Sequence, residues 1–312
     1  MVRLPPHYGN LVSIWNDTLY LGYNTNGFAN HAPLDAIELI SEIGYRGIGI
    51  TVDHTWLNPL NPHWEEQLPQ FKKWIDLYRL NTVIETGARF LLNPNVKHEP
   101  TLISEGAENR LKRIEFLKRC IDIAAYLGSD CVSLWSGRKP QTINLQTAMD
   151  RLAESLYPVV QYAESKNVVL GFEPEPGMLI DTMNAYERLL QWIDSPAFQL
   201  TLDIGHLFCQ GEVPIVDFIS RWQGRIVNIH LEDMKVGVHE HLMFGDGDIH
   251  FPPIFSALNE IDYQGGVFVE LSRHSHNAPW FASESMKFLA GFFPNQTRGV
   301  DFLKPFQRDS ES

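Results

Sequence analysis

Cysteine is scarce in this chain of 312 residues: Cys120, Cys131 and Cys209 are odd in number, widely spaced and form no C-x-x-C pair. Neither a disulfide framework nor a zinc ribbon is indicated, and the reducing cytoplasm is the expected compartment. Basic charge is also short, with 25 Lys and Arg against 38 Asp and Glu, a formal net charge of −13. Binding to a phosphate backbone rests on clustered cations, so a nucleic-acid partner is not expected. No stretch approaches the roughly 18 apolar residues of a membrane span, and the opening MVRLPPHYGN lacks a signal-peptide core; no membrane partner is expected. No G-x-G-x-x-G follows a strand-like run, which weighs against a doubly wound dinucleotide-binding sheet. Internal repeats are absent.

What is present is a large apolar fraction, 44%, in a chain long enough to bury a sizeable core. Runs rich in β-branched and aromatic residues occur at 19–26, 45–53, 81–87, 131–137, 168–177, 198–206, 226–233 and 265–274. Between them lie segments with apolar residues at helical spacing, such as GAENRLKRIEFLKRCIDIAAYLG at 106–128. Near-continuous apolar strands with one helix apiece describe parallel strands covered on the outside, and eight such units predict a single α/β domain, a (β/α)8 barrel over residues 1–303. The polar end at 304–312 is expected to be a disordered tail. A homo-oligomer is compatible with this reading.

In such a barrel the C-terminal strand ends build the active site. Strands five to eight end on Glu173, Asp203, His230 and Glu270. Taken singly each has an ordinary explanation: Asp203 before Ile204 and Gly205 fits a helix N-cap, the glutamates fit structural ion pairs, and His230 fits a hydrogen-bonded core histidine. Taken together, charged groups at adjacent barrel mouths repel and lose hydration unless a cation or protons neutralise them. The set is therefore expected to hold a divalent metal, with Mn²⁺, Mg²⁺ or Co²⁺ favoured by the oxygen-rich donors and Zn²⁺ also compatible.

Other residues near the predicted mouth bear on a substrate. In EPEPG, Glu175 follows Glu173 by two positions; it points the same way on a continuing strand, while Pro174 and Pro176 favour a rigid loop. Arg89 beyond strand three, with Lys97 and His98 at the tip of a long 90–106 segment, and Arg138 and Lys139 beyond strand four, are candidates for binding a substrate phosphate. Glu85, like Arg89, is placed just past strand three. His54 and Trp56 after strand two, and Asn24 and Phe28 after strand one, are candidates for a pocket wall, although core packing explains Trp56 as well.

The pieces LGFE, LDIGH, IHLED, HLMFGDGDIHFPPIF and FVEL resemble, in order, the xylose isomerase-like superfamily of barrels, which includes ketose 3-epimerases, hydroxypyruvate isomerase, inosose dehydratase and endonuclease IV. The resemblance covers nearly the whole chain. It implies that Glu173, Asp203, His230 and Glu270 hold one divalent ion and that His206 faces the substrate. It further implies a metal-dependent isomerase or epimerase of a sugar, sugar phosphate or polyol, working through an enediolate with Glu173 and Glu270 as the acid and base. A dehydratase of a keto-polyol is the alternative on the same chemistry. In the glycine loop an Arg of the sugar epimerases falls about where His241 stands. In endonuclease IV that loop carries an acidic and a histidine ligand, where His239 and His241 stand here. His206, His239 and His241 could ligate a second ion, as in a multi-zinc phosphodiester hydrolase. Trp135, however, occupies the place of a strand-four histidine that endonuclease IV needs.

Overall fold

A computed structural model describes residues 19–293; the expected tail lies outside the described residues. Eight parallel strands close into a barrel: β1 (Tyr20–Asn24), β2 (Gly47–Thr51), β3 (Asn81–Glu85), β4 (Val132–Leu134), β5 (Leu170–Phe172), β6 (Phe198–Asp203), β7 (Ile226–Leu231) and β10 (Gly266–Val269), with β1 joined to both β2 and β10. The register sets Asp203 beside His230 and Thr51 beside Glu85, so these side chains share one end of the barrel. Strands of three to six residues suffice because both faces are covered and every strand has two hydrogen-bonded neighbours.

The outer ring comprises α1 (Pro33–Ile43), α2 (Leu68–Tyr78), α3 (Ala107–Leu127), α4 (Leu145–Lys166), α5 (Met183–Leu189), α7 (Ile215–Trp222), α8 (Phe251–Glu260) and α9 (Ala278–Ala290). Their apolar stripes pack on the strands. Two residues before Glu270, Phe268 fills the barrel interior so closely that a Cβ on Gly22 would lie 2.3 Å from its ring, which explains glycine in the facing strands.

One helix apiece is a simplification. β6 runs into a six-residue helix, α6 (Ile204–Cys209), before α7. After β7 the chain forms an antiparallel hairpin, β8 (Asp233–Lys235) and β9 (Val238–Leu242), where the sequence reading had only a loop. Asp233 organises that excursion. Its buried carboxylate accepts hydrogen bonds from the N–H groups of Met234, Gly245, Gly247 and Ile249 at 3.0, 2.9, 3.0 and 3.1 Å. A Cβ on Gly247 would fall 2.3 Å from the Asp233 carboxylate, so the glycine is required for this approach.

Candidate active site

The two oxygens of Asp203 have separate roles. Oδ1 caps α6, accepting from the His206 N–H at 2.7 Å, while Oδ2 makes no hydrogen bond to a described residue and faces the barrel mouth. The cap and the candidate ligand are the same carboxylate.

Four strand ends bring Glu173, Asp203, His230 and Glu270 together with one ligand atom each, all within 4.8 Å of one another. His230 is central. Its Nδ1 lies 3.2 Å from Glu173, 2.9 Å from Glu270 and 3.8 Å from Asp203, while Nε2 is 2.9 Å from Glu85 on the far side. Glu85, the last residue of β3, thus holds the imidazole with Nδ1 turned to the other acids. Carboxylates commonly orient metal-binding histidines in this way. Glu270 is held in turn by Asn26, whose amide donates at 2.7 Å, and more weakly by Asn24 at 3.4 Å. No spacing rule flags Glu85 or Asn26 for these jobs, because their partners are 145 and 244 residues away in sequence.

Electrostatics divides the acids. Burial raises the Glu173 pKa to about 8, against the opposing pull of His230. Burial acts on Glu270 too, but His230, His241 and His206 outweigh it and hold that carboxyl below its ordinary value. Asp203 is likewise lowered by its histidine neighbours despite burial. His230 shows the converse: burial disfavours its charge, yet Glu85, Glu173 and Glu270 raise its pKa well above the usual imidazole value. The cluster behaves as acids gathered around one imidazolium.

A second histidine group adjoins the first. His206 Nε2 is 3.0 Å from His239 Nε2, and His206, His239 and His241 also offer ligand atoms within 4.8 Å of one another. His241 is steered by its Nδ1, which lies 3.2 Å from the carbonyl of Glu270. Burial depresses His206 to about 3, so this ring is neutral. Glu175 stands on a loop, as the prolines favoured, with its carboxylate 3.9 Å from His206 and 3.7 Å from His239. Burial and then the Glu173 charge raise its pKa well above the usual range.

Glu232 lies buried against Gly205, and a Cβ there would approach its Oε1 to 2.0 Å. Gly205→Ala is accordingly expected to destabilise the fold by about 1–3 kcal/mol through overpacking. Urea denaturation of the variant beside wild type checks this, and an unchanged midpoint would show that Glu232 can move aside.

Beside these groups lies a cavity of about 340 Å³, within the usual range of small-molecule sites, whose lining does not include Asp203 or His206. Its lining includes Glu173, Glu175, His230, His239, His241 and Glu270 together with Arg89, Lys97, Arg138 and Arg273. Arg273, three residues past Glu270, joins them, and its place after the last strand is the same signal that singles out Arg89. Several expectations need correction. Phe28 is buried in the core against Tyr23 and does not line the cavity. His54 is exposed and lies off the cavity, because Asp53 and Trp56 exchange backbone hydrogen bonds at 3.0 and 3.1 Å and turn the chain outward. Trp56 itself is core, packed against Phe71. Lys139 is diverted to the carbonyls of Pro140 and Ile143, at 3.1 and 2.9 Å. His98 is not a free loop tip either: it folds back with Nδ1 2.6 Å from the Gly87 carbonyl and its ring edge-on to Trp135.

The family described as "Xylose isomerase-like TIM barrel" matches residues 37–291. L-ribulose-5-phosphate 3-epimerase UlaE of Shigella flexneri serotype 5b (strain 8401) is 26% identical over 260 residues, 81% of this chain and 86% of that protein. Inosose dehydratase of Clostridium beijerinckii (strain ATCC 51743 / NCIMB 8052) is 30% identical over 136 residues, 38% of this chain and 45% of that protein. Among solved structures, a D-tagatose 3-epimerase-like protein superposes with a TM-score of 0.73 at 21% identity, covering 90% of this chain and all of that one (100%). The IOLI protein with a bound zinc atom superposes at 0.69 and 17% identity, covering 89% of this chain and 99% of its own.

Proposed function

The chain belongs to the xylose isomerase-like TIM barrel family, and on that footing we propose that it is a divalent-metal-dependent isomerase or epimerase of a sugar or polyol, phosphorylated or not. The observation that carries the reading is the convergence of Glu173, Asp203, His230 and Glu270 at one barrel mouth, with Asp203 Oδ2, which accepts no hydrogen bond from a described residue, among their oxygens. Three carboxylates and one imidazole nitrogen suit Mn²⁺, Mg²⁺ or Co²⁺, and Zn²⁺ is compatible.

A divalent ion held by these four residues would bind a substrate's carbonyl and neighbouring hydroxyl and make the carbon-bound proton between them more acidic. The protein groups then divide the proton work. Glu270, whose carboxylate the Asn26 amide orients, takes a proton from carbon, and Glu173, which meets the same His230 nitrogen, gives back one taken up from solvent. Removal and return at one carbon inverts it, and return to the neighbouring carbon isomerises. Loss of a β-hydroxyl from the same enediolate is dehydration, the activity that the name of the inosose dehydratase relative prints. A panel of ketoses, aldoses and keto-polyols with product analysis distinguishes these outcomes.

Elemental analysis tests the metal directly. Wild type is expected to carry about one equivalent of divalent ion, with His230→Ala losing it and Glu85→Gln weakening it by about 10–100-fold. Full metal retention in His230→Ala would remove the reading. A second reading rests on the His206, His239 and His241 group: a second ion there would bring the site toward multi-zinc phosphodiester hydrolysis. Two equivalents of zinc, one of them lost in His239→Ala, would favour it.

A further inference from the structure

The cavity is electrically divided. Its floor carries Glu85, Glu173, Glu175 and Glu270, and its mouth carries Arg89, Lys97, Arg138 and Arg273. In a chain with 25 cations against 38 anions, four cations around one opening are a concentration that the fold must create. Three separate connections deliver them, after β3, β4 and β10. We propose that this rim binds the phosphate monoester end of a sugar phosphate whose carbonyl end rests on the carboxylate and His230 floor. The assignment of the sugar end rests on the metal-dependent reading above; the anion site itself does not.

Arg89 is presented by unusual backbone. Ala88 and Arg89 have φ of 56° and 27°, and His98, at 69°, closes the loop onto them. Its N–H donates to the Arg89 carbonyl at 2.6 Å, and its Nδ1 meets the Gly87 carbonyl at the same distance. Left-handed non-glycine residues are costly and concentrate where a ligand site needs them. The Arg89 guanidinium spends one Nη2 donor on the Asn26 carbonyl at 2.8 Å and stands 3.8 Å from Asp53, which aims the fork and leaves N–H groups over. Lys97 and Arg138 make no hydrogen bond or ion pair with any described residue. Among the described residues Arg273 meets only Glu240, an exposed pair at 3.0 Å whose attraction solvent largely screens. Partial burial, then the nearby Arg89 and Arg273 charges, lower the Lys97 pKa against the opposing pull of Glu175.

The surplus of charge selects the anion. A carboxylate carries one charge and is satisfied by a single guanidinium fork. A phosphate monoester carries about −1.5 to −2 charges and three acceptor oxygens, which matches cations arriving from three sides. Arginine forks and a lysine point charge are the usual partners of such a group.

Isothermal titration of the full chain with inorganic phosphate, once with chelator and once with saturating Mg²⁺, tests the rim apart from the floor. Saturable binding is expected in both conditions, weakened by about tenfold or more in Lys97→Ala and in Arg273→Ala, as for loss of a charged hydrogen bond. Both side chains are exposed, so the variants keep the fold. Lys139→Ala, whose ammonium is spent on carbonyls off the cavity, should bind as wild type does. Acetate binding as tightly as phosphate, or phosphate binding indifferent to Lys97 and Arg273, overturns the proposal. Phosphate binding by a protein that holds no metal keeps the rim and removes the floor reading; metal without phosphate binding does the reverse.

Discussion

Glu270→Gln is expected to lower turnover of any accepted sugar by about 10³-fold or more, near the upper end of what a positioned general base contributes. Glutamine keeps the size of the side chain and can still accept from the Asn26 amide, which sits 2.7 Å from Oε1. What it loses is the negative charge facing His230 Nδ1 at 2.9 Å and the basic oxygen that takes the proton. The loss should fall on kcat more than on KM, because proton transfer belongs to the transition state and sugar hydroxyls still find their partners. Glu173→Gln should lose activity on a similar scale, since a buried amide supplies no acidic proton in its place. Proton exchange separates the two roles. With substrate in deuterated water, solvent exchange at the reacting carbon should vanish in Glu270→Gln. A fall in kcat of under tenfold with metal retained would show that Glu270 is not the base.

Stripped of divalent ions, the protein is expected to lose stability as the pH rises from 6.5 toward about 8. Glu173 has its folded pKa raised from 4.5 to about 8. Between those values the folded state holds a proton that the unfolded chain has released, so this contribution declines as pH rises. His230, also raised, contributes fully below 6.5 and loses its contribution as pH passes through the folded value, with the same sign. His206 acts oppositely, but its window runs from about 3 to 6.5 and is closed by then. Asp203 and Glu270, both lowered, have contributions fully present above their ordinary values of 3.8 and 4.5 and constant through this range. The decline from Glu173 alone is on the order of 2 kcal/mol. A bound ion displaces those protons, so saturating metal should remove the slope and add about 4 kcal/mol when its concentration is 1,000 times its dissociation constant. Urea unfolding across the window, with and without metal, gives the answer. Metal-free stability that rises with pH, or an ion that adds nothing, would contradict the site described here.

Both predictions involve groups of unequal visibility. Glu173, Asp203, His230 and Glu270 could be picked out because each stands at or just past the end of a strand. Glu85 stands out in the sequence as an acid beside strand three but not as the partner of His230, and no local pattern marks Asn26. Trp56 shows a choice that sequence leaves open: an aromatic just beyond a strand fits pocket wall or core, and it is packed in the core. Lys139 and Arg138 are adjacent in sequence, yet one is spent on local carbonyls and the other lines the cavity.

Strand and helix periodicity by itself determined the eightfold alternation, and with it the end of the barrel at which the acids gather, because hydrophobic burial and side-chain alternation are local properties of the chain. The hairpin after β7 escaped that reading, since it is held by one buried carboxylate, Asp233, gathering four backbone N–H groups rather than by an apolar pattern. Which nitrogen of His230 faces the acids, which oxygen of Asp203 is spent on a helix cap, and which cations meet at the mouth were decided only by the closed barrel. These are matters of direction and of contacts between residues far apart in the chain, and spacing along one strand carries no record of what stands across from it.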